Sequence, residues 1–205
     1  PMYETVMTGL PVSEHGIVSN NYVRSSECEN LFSLTRKAGR VTAAAAYSWM
    51  SELYQHKGGP YDPLLDRYQF DSDGDIQHGI FYHADEYPDA YLYFDGDYLR
   101  RTYHPDFLLF HPMGCDHAGH LFCKGSREYR GAAVGSYDAI ASLLPSWRKD
   151  GYDVVVTADH GMDQFGSHTG NTPLQREVAL YIVSDQVEKG DFTDRATSQL
   201  QVAPL

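Results

Sequence analysis

Aspartate and histidine side chains cluster at three places along this chain, and two of the clusters directly follow an apolar run. Carboxylate oxygens and neutral imidazole nitrogens are the ligands that Zn²⁺ and related divalent ions take. Such ligands, delivered by separate loops to one place, predict a metal-dependent hydrolase site. The candidate metal ligands are Asp116, His120, Asp159, His160 and His168.

Asp116 and His120 lie four residues apart, behind the apolar run 107–110. On one helical turn they would share a face, and a loop would also allow them to converge. Gly119 permits close approach of the backbone to its surroundings. This pair is therefore expected to bind a metal ion.

Asp159 and His160 follow the β-rich run 153–157 and precede Gly161. On a regular strand their side chains would point to opposite faces, but at a strand exit the backbone can turn. Both are then able to reach one metal ion or two neighbouring ions. His168 lies in a polar loop eight residues after His160 and supplies a third ligand for the site of the first pair.

The composition argues against two classes of partner. A net charge of −12 disfavours binding to nucleic-acid polymers or anionic membranes. The chain has no run of 18 apolar residues, so no membrane span is predicted.

Three cysteines are too few for a disulfide scaffold, so a cytoplasmic, reducing location is expected, with a lost leader as the alternative. Cys115 and Cys123 flank the first ligand pair, but packing suits them better than metal binding.

Helices and strands alternate in the predicted order of elements. This alternation predicts an α/β fold with a largely parallel central sheet and helices on both faces. Ligands of such sheets gather at the carboxyl ends of strands, where the Asp/His clusters fall. Predicted helices cover residues 2–8, 30–38 and 128–148, and predicted strands cover residues 41–47, 106–111, 154–157 and 178–183.

The segment 48–104 is rich in Tyr, Asp, Gly and Pro and has weak periodicity. It is predicted to be a mostly irregular excursion from a single domain spanning residues 1–205, with a short strand at 91–94. Its aromatic residues are expected to pack rather than to stack on a substrate. His15 is expected to have a structural role, with its imidazole capping a carbonyl group. No substrate-binding residue can be chosen.

Taken together, the motifs resemble those of the type I phosphodiesterase/nucleotide pyrophosphatase family, in the alkaline phosphatase superfamily. The matching motifs are Thr8-Gly9-Leu10-Pro11, His15-Gly16-Ile17, Pro105-Asp106 through Asp116-x-x-Gly119-His120, Thr157-Ala158-Asp159-His160-Gly161-Met162 and the His168 loop. Their order and spacing agree over nearly the whole chain. The resemblance implies an alkaline-phosphatase-like domain that is truncated at both ends.

The resemblance also implies two divalent metal ions, zinc first and manganese as the alternative. By motif match, Asp116, His120 and His168 hold one ion, and Asp159 with His160 helps to hold the other. A Thr or Ser nucleophile then attacks a small-molecule phosphoester, and water hydrolyses the covalent intermediate.

The chain departs from the family pattern at its start. The nucleophile is expected a short distance ahead of Pro1, and the first metal-binding Asp further upstream still. Neither Thr5 nor Thr8 is a convincing substitute, so this chain alone is expected to be inactive. Loss of an opening strand would expose a sheet edge and favour self-association. The alternatives are a phosphomutase or phosphonate hydrolase on the same scaffold, and a non-catalytic metal-binding protein.

Overall fold

The computed structural model describes residues 1–21, 24–55 and 58–204. The chain divides into two compact units. Unit 1 comprises Pro1–Met113 together with Ser198–Leu205, and unit 2 comprises Gly114–Thr197. All five candidate metal ligands lie in unit 2.

Unit 1 contains a four-stranded sheet in the order β2-β3-β1-β4. Strand β1 pairs in parallel with both β3 and β4, whereas β2 pairs antiparallel with β3. The predicted, largely parallel central sheet is thus confirmed. The elements are α1 Met2–Thr8, α2 Val12–His15, α3 Leu31–Lys37, β1 Thr42–Tyr47, α4 Trp49–Tyr54, β2 Tyr68–Gln69, β3 His78–Tyr82, α5 Asp89–Tyr103, β4 Phe107–Phe110 and a 3-10 turn at Gln199–Gln201.

Helices cover both faces of this sheet. Because successive side chains of a strand point to opposite faces, the alanines of β1 divide between two hydrophobic clusters. Ala44 and Ala46 join the cluster that includes Phe32 of α3. Ala43 and Ala45 join the other, whose Leu92 and Leu99 belong to α5. Small side chains on β1 allow helices to pack closely on either side.

The segment 48–104 is more regular than its composition predicts, and the strand predicted at 91–94 is wrong. Helix α5 runs through it, and its buried residues recur with helical period: Leu92, Tyr93, Gly96, Asp97, Leu99 and Arg100. Two of these buried positions carry charges that pair with each other, with Arg100 Nε 2.8 Å from Asp97 Oδ1. Because two buried positions carry charged residues, the apolar residues alone do not show the helical period. The aromatic residues at 91–94 therefore suggest a strand instead.

Unit 2 contains α6 Gly114–Phe122, α7 Arg127–Lys149, β5 Val154–Thr157, α8 Pro173–Arg176 and β6 Leu180–Val183. Helix α7 confirms the predicted amphipathic helix and continues through Pro145. Strands β5 and β6 form a separate two-stranded antiparallel sheet, so their prediction as further parallel strands is wrong. Parallel neighbours are usually joined by a crossover helix, and the only helix between these two strands in the described residues has four residues.

His15 in unit 1 has the structural role that the sequence predicts, but with a different partner. Its Nδ1 accepts a hydrogen bond from the Ile17 N–H at 3.1 Å, rather than capping a carbonyl group. The ring proton therefore lies on Nε2, which is 2.9 Å from Thr5 Oγ1. None of the helices in the described residues has the length and apolar composition that a membrane span requires.

Candidate metal centre

Helix α6 places Asp116 and His120 on one face, because residues four apart in a helix lie one turn above each other. Asp116 Oδ2 lies 3.4 Å from His120 Nε2. Of the two arrangements that the sequence leaves open, the helical one is present.

Gly119 brings the second ligand segment against α6. A methyl group at this position would lie 2.5 Å from the Cε atom and 3.1 Å from the Cγ atom of Met162. Met162 is only 2% exposed and follows the Asp159-His160-Gly161 sequence. A glycine on the helix and a buried methionine beyond the ligand pair therefore allow the two segments to approach closely.

His160 lies between the two aspartates. Its Nε2 atom is 3.4 Å from Asp159 Oδ2 and 3.8 Å from Asp116 Oδ1. The structure thus places the second ligand pair directly beside the first.

His168 completes the cluster. Its Nε2 atom is 3.6 Å from Asp116 Oδ1 and 3.2 Å from His120 Nε2. Its ring stacks on that of His160, with centroids 3.7 Å apart and planes 13° apart. All five predicted side chains therefore come together within unit 2.

A backbone carbonyl that sequence reasoning missed orients His120. The carbonyl oxygen of Gly166 lies 2.8 Å from His120 Nδ1, so it accepts a hydrogen bond from that ring nitrogen. This bond leaves the Nε2 lone pair directed at the cluster, as in histidines that bind metals. Gly166 has a φ of 74°, and a Cβ there would lie 2.8 Å from the Gly119 carbonyl oxygen. The Gly166-Ser167-His168 sequence is the only local signal of this turn.

The side chains present fit a zinc-type ion. One ligand atom from each of Asp116, His120 and His168 lies within 4.8 Å of the others. Tetrahedral zinc with ligands at about 2.0–2.2 Å separates neighbouring ligand atoms by about 3.3–3.5 Å, close to the spacings above. Asp116 Oδ1 is buried without a hydrogen-bond partner in the described residues. Such an oxygen is costly unless a cation compensates it.

The electrostatics of the cluster also favour a cation. Burial raises the pKa of the Asp159 carboxyl, and the neighbouring Asp116 carboxylate adds to the rise. Burial and the adjacent His160 ring lower the pKa of His168, which keeps its imidazole in the neutral form that binds metals. Cys115 and Cys123 form no disulfide bond and do not belong to the metal-capable group found in the described residues.

Comparison with known proteins identifies the family. Residues 1–177 match the family described as type I phosphodiesterase/nucleotide pyrophosphatase. The chain belongs to this family. Its resemblance to the family, expected from the motifs, is thereby confirmed.

One curated relative and two solved structures are similar to this chain. GPI ethanolamine phosphate transferase 1 of Saccharomyces cerevisiae is 32% identical over 142 residues, which are 62% of this chain and 15% of that protein. Inactive murine ectonucleotide pyrophosphatase/phosphodiesterase 5, solved with AMP, covers 78% of this chain at a TM-score of 0.54 and 16% identity. Phosphonoacetate hydrolase of Sinorhizobium meliloti, solved with phosphonoformate, also covers 78% of this chain, at a TM-score of 0.52 and 18% identity.

The two solved structures show that the fold is alkaline-phosphatase-like. This chain covers 45% of the murine structure and 44% of the bacterial one. It spans only 8–15% of the length of six curated relatives, which are GPI ethanolamine phosphate transferases. The family and these relatives are phosphoesterases or phosphotransferases.

Proposed function

We propose that this chain carries the metal-binding part of an enzyme that hydrolyses phosphoester bonds of small molecules. Phosphodiesters and nucleotide pyrophosphates are the expected substrates. The observation that supports this proposal most is the five-residue cluster, whose central carboxylate oxygen, Asp116 Oδ1, is buried without a hydrogen-bond partner in the described residues. Membership of the phosphodiesterase family supports phosphoester chemistry in particular.

Two divalent ions are proposed, zinc first and manganese as the alternative. Asp116, His120 and His168 hold one, and Asp159 with His160 helps to hold the other. When bound, these ions supply Lewis acidity that polarises a phosphoryl oxygen and lowers the pKa of an oxygen nucleophile. The backbone helps to keep this site in position, because the Gly166 carbonyl oxygen fixes the orientation of the His120 ring.

Charge makes substrate binding depend on the metal. The chain has a net charge of −12, and the cluster itself contains two carboxyl groups. A phosphate group would be repelled by these carboxylates, unless bound cations invert the local charge. Phosphoester substrates are therefore expected to bind only to the metal-loaded protein.

The proposal is tested with a panel of a phosphodiester, a nucleotide pyrophosphate, a phosphomonoester and a phosphonate, each with Zn²⁺ or Mn²⁺. Since the nucleophile is predicted ahead of Pro1, the assay compares the 205-residue chain with a chain extended by the residues that its gene encodes there. We expect hydrolysis by the extended chain and its loss with a chelator. Zinc bound at the cluster without cleavage of any substrate would contradict the proposal.

A second candidate is transfer of a phosphate-containing headgroup to a hydroxyl acceptor. The observation that favours it is the 32% identity with the yeast ethanolamine phosphate transferase over 142 residues. The same assay separates the two reactions when an ethanolamine phosphodiester donor is combined with increasing amounts of an alcohol acceptor. A transferase forms the new ester in proportion to the acceptor, whereas a hydrolase releases phosphoethanolamine at an unchanged rate.

A further inference from the structure

The turn that carries His168 is fixed by a contact between Asp163 and Gln175. We propose that these two are positioning residues that determine how tightly Asp116, His120 and His168 bind a divalent ion. The inference rests on the metal-binding role proposed above for those three side chains.

Gln175 uses its full hydrogen-bonding capacity inside unit 2, where it is 5% exposed. Its Oε1 accepts from the Thr172 N–H at 3.1 Å and from Thr172 Oγ1 at 2.8 Å. Its Nε2 donates to Asp163 Oδ2 at 3.1 Å and to the Ser167 carbonyl oxygen at 3.2 Å. A primary amide has two donor hydrogens and one oxygen with two lone pairs, so nothing remains unused.

The partners of Gln175 leave only one orientation for its amide. A backbone N–H can only donate, so the atom facing Thr172 N must be the oxygen. A carbonyl and a carboxylate accept, so the atom facing Ser167 and Asp163 must be the nitrogen. Glutamate has no donor for these two oxygens when it is ionised, which makes the position sensitive to an isosteric change.

Asp163 closes the turn that leads to His168. Its Oδ1 accepts from the backbone N–H groups of Phe165 and Ser167, both at 2.9 Å. Its own backbone N–H donates to the Ser167 carbonyl oxygen at 2.9 Å. One carboxylate oxygen of Asp163 therefore stabilises the turn, while the other accepts a hydrogen bond from Gln175.

Three candidate ligands depend on this arrangement. His168 follows the turn directly, and the Gly166 carbonyl within the turn orients His120. On the other side, the backbone carbonyl of Gln175 accepts from the Gly161 N–H at 2.7 Å, one residue after His160. Displacing Gln175 is thus expected to move His120, His160 and His168 relative to one another.

The sharpest variant is Gln175→Glu, which keeps the volume and one acceptor oxygen. It sets a second oxygen against two groups that cannot donate, so the turn has to open. We expect the zinc dissociation constant to rise about 10-fold or more, as for other residues that orient metal ligands. The matched control is Gln186→Glu. Gln186 is exposed and also donates to a carboxylate, Asp153 Oδ2 at 3.3 Å, but lies in a bend after the end of β6, outside the turn that leads to His168, so zinc affinity should change less than about 2-fold.

A double variant provides the rescue. In Asp163→Asn/Gln175→Glu the amide group is moved to position 163, so its N–H can donate to the new carboxylate at position 175. The new Asn oxygen can still accept from Phe165 and Ser167. The double variant should therefore bind zinc more tightly than Gln175→Glu alone, although the Ser167 carbonyl oxygen still lacks the bond from position 175 and keeps only the one from the backbone N–H of residue 163.

Zinc affinity is measured by calorimetry on each protein, with circular dichroism to confirm folding without metal and cobalt absorption to report the coordination geometry. If the unaltered chain binds no zinc, the proposed function fails. If the chain binds zinc and a folded Gln175→Glu variant binds it equally well, only this inference fails. If that variant does not fold, the double variant decides: recovered folding and zinc binding support the inference, and failure to recover either overturns it.

Discussion

Asp116 lies at the centre of the cluster because three histidines approach its carboxylate. Its Oδ2 faces His120, and its Oδ1 faces His160 and His168. No other candidate ligand in the described residues has so many partners of this kind, so its charge should dominate metal binding.

Replacing this carboxylate by an amide, in Asp116→Asn, should lower zinc affinity on the order of 100-fold, since the amide is a weak ligand and carries no charge. Asp138→Asn is the matched control, because Asp138 is an exposed aspartate on a helix of the same unit. Calorimetric titration of both variants checks the expectation. Equal zinc affinities would show that Asp116 is not a ligand.

His15 makes unit 1 sensitive to acid. Burial lowers the pKa of His15 below 6.5, and protonation of Nδ1 would break its bond from the Ile17 N–H. A pKa that is lower in the folded chain means that protons favour the unfolded chain. The contribution of His15 is therefore complete above about pH 6.5 and is lost as the pH falls through the lowered pKa.

Urea unfolding followed between pH 7 and pH 5 tests this expectation. The free energy of unfolding should fall less steeply in His15→Gln than in the unaltered chain. The matched control is His83→Gln, because His83 is an exposed histidine in the same unit. Identical slopes in all three proteins would contradict the assignment.

Single residues of the site differ in how well the sequence reveals them. The five candidate ligands could be chosen because Asp and His have few reasons to follow apolar runs in this spacing. Gln175 and the Gly166 carbonyl could not be chosen. The spacing of Thr172 and Gln175 is that of a helix capping box, but it does not indicate the bonds of Gln175 to Asp163 and Ser167. Those bonds, like the role of the Gly166 carbonyl, come from tertiary contacts.

At the level of elements, the packing of α6 on Met162 determines whether the two ligand segments meet. Gly119→Ala would place a methyl group 2.5 Å from the Met162 Cε atom. Overpacking of this kind costs about 1–3 kcal/mol, which the gain of up to about 1 kcal/mol from alanine in a helix offsets only in part. The displaced segment carries Asp159 and His160. We expect lower stability together with weaker zinc binding.

Gly135→Ala is the matched control for this helix substitution. Gly135 lies in α7, and a Cβ there would meet nothing within 4 Å. Alanine should stabilise α7 by up to about 1 kcal/mol and leave zinc affinity unchanged. Thermal unfolding should therefore show a lower midpoint temperature for Gly119→Ala than for Gly135→Ala, and zinc titration should show weaker binding by Gly119→Ala. A Gly119→Ala variant that behaves like Gly135→Ala would contradict this role of the glycine.

The elements were predictable where local pattern and tertiary environment agree. The helix α7 and the strand β1 follow from their periodicity and composition. The helix α5 does not, because a buried pair of charges, Asp97 and Arg100, occupies positions where apolar residues would normally reveal the period. The pairing of β5 with β6 depends on the connection between them, which local composition does not specify.

At the scale of the whole molecule, the two units differ in their cores. Both hydrophobic clusters found in the described residues belong to unit 1. In unit 2 the buried apolar side chains of the described residues are Ala118, Trp147 and Met162. Unit 2 should therefore owe more of its stability to a bound metal than unit 1 does.

The two tryptophans report on the units separately, since Trp49 lies in unit 1 and Trp147 in unit 2. Zinc at about 100 times its dissociation constant should stabilise the unit that binds it by about 2.7 kcal/mol. In a Trp49→Phe variant, the midpoint temperature of unfolding reported by Trp147 fluorescence should fall when a chelator is added. In a Trp147→Phe variant, the midpoint temperature reported by Trp49 fluorescence should change less. The reverse order would place the metal in unit 1.

Whether residues 1–205 behave as one domain, and whether the chain associates with itself, stay predictions that these unfolding curves also bear on. A single transition seen identically by both tryptophans would indicate one cooperative domain, and transitions that shift with protein concentration would indicate self-association.

The most direct test of the metal site is a crystal structure of the chain grown with zinc, with anomalous scattering recorded on both sides of the zinc absorption edge. The account predicts one zinc ion bound by Asp116, His120 and His168 at about 2.0–2.2 Å, and a second contacted by Asp159 and His160. A crystal in which zinc is bound elsewhere, while these five side chains contact no ion, would contradict it.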